Sequence, residues 1–174
     1  MTATPWNLVV FDFDATLYNS PLPPKKGSTA WWMTAKSLQG AGAPGFDPRW
    51  NLDVVRAARR AWLEPGTRTA LLTGRADVEP LAGVLRRLLR DAGLTFDIIS
   101  LNPVRFPPIP QGQYKASMVQ RWLLASPSIK SVTLCDDEEE VHRAVSAVVT
   151  RMGRMYTGLG QAGTETPSEM AGLL

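Results

Sequence analysis

A single cysteine, Cys135, leaves no partner for an intramolecular disulfide, so a small disulfide-stapled scaffold is excluded and a reducing cytoplasm is the expected setting. Long apolar runs are missing as well. No window approaches the roughly 20 apolar residues that a membrane span requires, and no membrane partner is expected. The N-terminus has no basic stretch ahead of its apolar run, and Asp12 interrupts that run early, so it does not read as a secretory signal. Charge of one sign is also scarce: 19 Lys and Arg against 16 Asp and Glu leave a formal +3, which tolerates an anionic partner without demanding one. What remains is a globular composition, 44% hydrophobic and 20% charged over 174 residues. That length suffices for one domain with its own core. The expectation is a single domain over residues 1–174, with an insert at 18–50 and a flexible tail at 160–174.

The apolar stretches that are present are short and regularly spaced. Residues 6–13, with Leu8, Val9, Val10 and Phe11, read as a buried strand. Residues 20–50 break the pattern with Pro21, Pro23, Pro24, Pro44 and Pro48 and three tryptophans without a sustained period, and read as an irregular insertion. "LDVVRAARRAW" spaces Leu52, Val55, Arg56, Arg59 and Trp62 as an amphipathic helix with a basic face, closed by Pro65 and Gly66. "TRTALLTGR" is a second strand, and "DVEPLAGVLRRLLRDAGL" a helix with a Leu81, Val84, Leu85, Leu88, Leu89 stripe that stops at Gly93. "TFDIISLNP" is a third strand, "VRFPPIPQGQ" a loop, "YKASMVQRWLLA" a helix, "SIKSVTLCDD" a strand and "EEEVHRAVSAVVTRM" a helix; a short strand and a frayed tail end the chain. Strands alternating with helices predict an α/β fold, a three-layer sandwich around a central parallel sheet. Ligands of such sheets sit outside the carboxyl ends of the strands.

The polar residues at those ends are Asp12 and Asp14, Thr73, then Asp136 and Asp137, with Lys115 following the third strand. Four carboxylates gathered at one end of a sheet repel each other, and a divalent cation with hard oxygen ligands, Mg²⁺, is the usual remedy. Given a metal and a phosphate, one carboxylate can attack phosphorus, a second can move the proton, and a lysine and a hydroxyl can cover the remaining charge.

In order and spacing, "DFDATL", "LLTGR", "YKASM" and "LCDDEEEVH" resemble the four motifs of the haloacid dehalogenase-like (HAD) superfamily of phosphohydrolases, a Rossmann-like fold. The resemblance implies Asp12 as nucleophile, Asp14 as general acid/base that also offers its carbonyl to Mg²⁺, and Thr73 and Lys115 as catalytic partners of the phosphoryl group. Asp136 and Asp137 join Asp12 and Asp14 as metal ligands, and Thr16 completes the Asp-x-Asp-x-Thr motif at the substrate. An acid at position 14 favours a phosphatase, because dehalogenating relatives lack it and transport ATPases carry Thr there. Ala15 departs from the pattern, which commonly has Gly. Receiver domains use similar residues but place the lysine last, whereas Lys115 precedes the second acid pair.

"FDFDATLYNSPLP", Trp31 and Trp32, Trp50, "FDIISLNP" and "DDEEEVH" further resemble the Swiss Army Knife RNA repair-like HAD domain, related to the phosphatase half of polynucleotide kinase-phosphatases. This implies Arg75 as a second phosphate or backbone ligand and leaves His142 without a role. It also implies a terminal phosphate of a nucleic acid as substrate and a kinase or ligase as repair partner. A nucleotide or small phosphometabolite, and an inactive nucleic-acid-binding module, stand as alternatives.

Simpler readings accompany several of these residues. Thr73 could cap the following helix. Glu138, Glu139 and Glu140 suit the positive end of the helix they open. Trp31, Trp32, Trp50 and Trp62 could stack bases, but packing is expected for at least half of them. Arg56, Arg59, Arg60, Arg86, Arg87 and Arg90 permit an electrostatic track for a polynucleotide, and Cys135 reads as a small buried residue.

Overall fold

The computed structural model describes residues 6–23, 29–103 and 109–160. Five strands, β1 (Asn7–Phe11), β2 (Thr67–Ala76), β3 (Ile98–Asn102), β4 (Ser131–Cys135) and β5 (Met155–Leu159), form one sheet in the order β3-β2-β1-β4-β5. Every pairing is parallel. The α/β sandwich expected from the alternation is thus the observed one. Four helices cover it: α1 (Leu52–Leu63), α2 (Leu81–Asp91), α3 (Gln111–Ala125) and α4 (Glu139–Arg151).

Alternate residues of the central strands face opposite layers, as the period of two requires. Val9, Phe11 and Leu71 pack with Val54, Val55, Ala58 and Ala61 of α1 and Leu81, Leu85 and Leu89 of α2. Leu8, Val10, Ala70 and Leu72 pack with Val119 and Leu123 of α3 and Val141, Val145 and Val149 of α4. Strand β1 therefore lies between two cores and has no wet face, which explains its unbroken apolar run. The strand order reverses direction between β1 and β4, and the ends of these two strands form the crevice in which ligands of such sheets bind.

Boundaries moved where polar groups found better partners than the ladder. The first strand stops at Phe11 because the chain then turns, with the Asp12 amide donating to the Cys135 carbonyl (2.9 Å) and the Tyr18 amide to the Phe13 carbonyl (2.8 Å). Helix α3 starts at Gln111, directly after Pro110, and so takes three residues from the expected loop. The stripe expected on α1 was misassigned: Leu52 and Trp62 are exposed, and the small residues Ala58 and Ala61 lie inward with Val54 and Val55. Helix α2 ends as expected at Gly93, whose φ of 61° lets the Leu94 amide reach back to the Leu89 carbonyl (2.9 Å). The expected tail from residue 161 onward, and Val104 to Pro108 of the expected loop, lie outside the described residues.

The described part of the insert holds two short 3₁₀ helices, Thr29–Met33 and Ala35–Leu38. A buried carboxylate anchors it. Asp47 accepts hydrogen bonds from the Tyr18 hydroxyl (2.8 Å), the Gly42 amide (2.9 Å) and the Arg49 guanidinium (2.8 Å). Burial opposes its ionisation, but these donors outweigh it and hold the Asp47 carboxyl well below the usual range. Tyr18, Phe13 and Trp50 form an aromatic cluster with centroids 5.1–6.1 Å apart, which fastens the insert to the end of β1.

Candidate active site

Asp12 follows β1 directly and is buried, as is Asp136 directly after β4. Between them stands Lys115, in the second turn of α3 and fully buried. Its ammonium donates to Asp12 Oδ1 at 2.8 Å and to Asp136 Oδ2 at 2.7 Å. Asp137 is exposed, and one carboxylate oxygen from each of Asp12, Asp136 and Asp137 lies within 4.8 Å of the others. The burial of Lys115 disfavours its charge, but Asp12 and Asp136 more than reverse this and hold it above its ordinary range. Burial, opposed by Lys115 and reinforced by Asp136 and Asp14, pushes the Asp12 carboxyl up to about 8. Burial and Asp136 likewise raise Asp137. One ammonium does not balance three carboxylates, and the donor set, all carboxylate oxygen, suits a hard cation. These three residues could hold a metal ion.

Asp14 lies apart from this trio. Its carboxylate is gripped by the Arg75 guanidinium, Nη2 to Oδ1 at 2.7 Å and Nε to Oδ2 at 2.9 Å. Arg75 also donates to Ser20 Oγ (3.0 Å) and Ser37 Oγ, and its guanidinium lies against the rings of Phe13 and Trp32. An irregularity in the β2–β3 register between Thr73 and Ala76 re-aims the strand here. Thr73 is fully buried, and its hydroxyl accepts from the Arg75 amide at 3.2 Å rather than capping the next helix. Thr16 is buried and its hydroxyl has no hydrogen-bond partner among the described residues. Ala15, between the acid pair and Thr16, has a φ of 56°, the left-handed conformation that favours Gly.

His142 has acquired a contact to the site. Its Nε2 lies 2.8 Å from the Asp136 carbonyl, which can only accept, so Nε2 donates; the Tyr156 hydroxyl then donates to Nδ1 at 2.6 Å. A side chain on residue 158 would meet this ring at 2.7 Å, so Gly158 makes the space. Cys135 is buried, as expected, and burial pushes its thiol up to about 12, which disfavours the reactive thiolate.

Above the carboxylates opens a cavity of about 680 Å³. Asp12, Asp14, Asp137 and Arg75 line it, together with Leu22, Trp32 and Met33 of the insert and with Pro103 and Ile109. Of the four tryptophans named above, only Trp32 reaches it. Trp50 is core, Trp31 donates to the Pro21 carbonyl at 2.9 Å, and Trp62 lies exposed on α1. None of the six arginines of α1 and α2 lines it. Sequence reasoning missed Ser20 and Ser37, which come from a segment without period, and Tyr156, whose strand carries no polar motif to single it out.

A parallel sheet that presents acid pairs at its switch point around a buried lysine defines a domain of the HAD superfamily. The chain belongs to HAD domain family 1 in Swiss Army Knife RNA repair proteins, whose model matches residues 17–159. That match begins just after Asp12 and Asp14. No match was found among curated proteins. Among solved structures, the chain is similar to one in the structure of the Pnkp1/Rnl/Hen1 RNA repair complex (16% identity, TM-score 0.59), covering 88% of this chain and 43% of that one. It thus spans less than half the length of that relative. It is also similar to the HAD domain of the Legionella pneumophila effector Lem4 (16% identity, TM-score 0.59), covering 95% and 92%, and to an inactive mutant of that domain (15%, 0.61), covering 97% and 92%. At these identities the structural likeness concerns the fold.

Proposed function

We propose that this protein is a Mg²⁺-dependent phosphatase that removes a terminal phosphate from a nucleic acid through an aspartyl-phosphate on Asp12. The observation that carries this reading is the Lys115 ammonium held between Asp12 and Asp136 with Asp137 alongside. Asp12, Asp136 and Asp137, with the Asp14 carbonyl, are the residues to hold Mg²⁺. When bound, the ion supplies charge neutralisation at the phosphoryl oxygens.

A carboxylate oxygen of Asp12 attacks phosphorus, the phosphorus–oxygen bond to the leaving group breaks, and the leaving oxygen takes a proton from Asp14, which enters this step protonated with one prong of the Arg75 fork released. Water then attacks the same phosphorus, gives its proton to Asp14 and releases Asp12 and inorganic phosphate. Lys115 covers the charge shared by Asp12 and the phosphoryl group, Thr73 binds that group through its hydroxyl, and Thr16 completes the motif at the substrate. Arg75, first expected at the phosphate, serves here to position Asp14, because its hydrogen bonds go to that carboxylate and to Ser20 and Ser37. Family membership supports a nucleic-acid end as substrate, and the likeness to a chain of the Pnkp1/Rnl/Hen1 complex supports a ligase or kinase partner.

Asp12→Asn is the test. It should abolish release of phosphate from an aryl phosphate with Mg²⁺ and leave the melting temperature within a few degrees of wild type or higher. Undiminished turnover by the variant refutes the mechanism. A 3′-phosphorylated oligonucleotide assayed beside mononucleotides tests the substrate.

A further inference from the structure

The cavity above Asp12 is far larger than a phosphate group requires; its volume of about 680 Å³ lies in the range of roughly 300–1,000 Å³ typical of pockets that enclose an organic ligand. Much of its lining is apolar, with Leu22, Trp32 and Met33 from the insert and Pro103 and Ile109 from the segment after β3. Trp32 is a preset platform, since the Arg75 guanidinium lies 5.4 Å from its ring centroid and Arg75 is itself fixed by Asp14 and two serines. Uncharged amides also line it, from Asn19, Asn102 and Gln111.

Charge narrows the occupant further. Asp12, Asp14, Asp137 and Glu138 all line the cavity, and Arg75, the one cation of its described lining, is committed to Asp14. Nothing described in the wall is left to neutralise a second anionic group. A flat, uncharged ring with hydrogen-bonding edges meets all these conditions; an alkyl chain would leave the amides unused.

We propose that the cavity seats a nucleobase: the phosphomonoester offered to Asp12 is carried by a nucleoside whose base lies against Trp32. This rests on the phosphatase reading and adds what is recognised next to the phosphate. The base belongs either to a free nucleotide or to the last residue of a strand, and the chemistry of the seat is the same for both.

The test compares a nucleoside 3′-phosphate with ribose 3-phosphate, which lacks the base, on wild type, Trp32→Ala and Trp32→Phe. Wild type should favour the base-bearing ester in kcat/KM by about 5- to 150-fold, the range that stacking of one base on an aromatic side chain supplies. Trp32→Ala should bring the ratio of the two esters towards one, chiefly by raising KM for the nucleotide, and Trp32→Phe should keep most of it. A wild-type ratio near one, or an equal loss on both esters in Trp32→Ala, overturns the base seat and leaves the phosphatase standing. Release of phosphate from neither ester overturns the base seat, and failure on an aryl phosphate with Mg²⁺ as well overturns the phosphatase reading. A dinucleotide with the same terminal phosphate separates the sources: given the Trp32 dependence, preference for it identifies a strand end, and equal or lower turnover identifies free nucleotide.

Discussion

Replacing Arg75 by alanine tests the most heavily connected side chain at the site. The guanidinium is buried and makes a two-pronged pair with Asp14, whose side chain is 27% exposed. Breaking a buried pair by removing one partner costs about 3–5 kcal/mol; water reaching Asp14 recovers part of that, leaving about 2–3 kcal/mol. For a chain of this size each kcal/mol moves Tm by about 2–4 °C, so a fall of roughly 5–10 °C is expected by calorimetry. Activity should fall further than stability, because Asp14 loses the fork that orients it, and general acid catalysis contributes about 10²–10⁴-fold. The loss should depend on the leaving group. An alkyl phosphate needs its departing oxygen protonated and should lose the full factor, whereas p-nitrophenyl phosphate, with a stable phenolate, should lose much less. Arg75→Lys keeps the charge without the fork and should recover only a minor part. Equal losses on the two esters, or a variant that melts with wild type, would refute the positioning role.

Other expectations concern the loop, the cation and the histidine. Ala15→Gly should relieve the left-handed strain at φ 56° and raise stability by about 0.5–1 kcal/mol after the greater flexibility of the unfolded chain is counted; a lower Tm would contradict this. In the metal-free protein, burial, against Lys115, raises the Asp12 carboxyl to about 8, above its unfolded value near 3.9. Its folded form is therefore favoured when protonated, and stability should decline as pH rises from about 4 to about 8. Mg²⁺ must displace that proton, so its apparent affinity should rise about tenfold per pH unit up to about 8 and then level off; a flat titration by calorimetry excludes this. His142→Ala should cost about 2–3 kcal/mol through its two lost hydrogen bonds and weaken Mg²⁺ binding about 10–100-fold by loosening Asp136; unchanged affinity would show the contact to be structural alone.

Legibility followed local pattern. The strands β1, β2 and β4 and the acids at their ends could be read because an apolar run that stops at a carboxylate is a short-range signal. The face of α1 could not. Its buried residues include alanines, which carry little weight in an apolar period, while Leu52 and Trp62 at its two ends face solvent. Lys115 was found through motif order, but its position fully inside the protein depends on two carboxylates, 103 and 21 residues away in the chain. The contacts of Arg75 with Ser20 and Ser37 were not legible, because those serines belong to an insertion with no periodicity to place them.

The central position of β1 has a consequence for synthesis of the chain. β1 is made first, yet one of its two neighbours, β4, consists of residues 131–135, and the lysine that faces Asp12 is residue 115. A nascent chain that has emerged only through β3 can pair β1 with β2 but leaves its other edge open, with Asp12 beside it and no counter-charge. Such an edge is a template for wrong pairing. The first hundred residues thus carry a liability that only the last third removes, and stable folding should await the emergence of β4 rather than proceed strand by strand from the N-terminus.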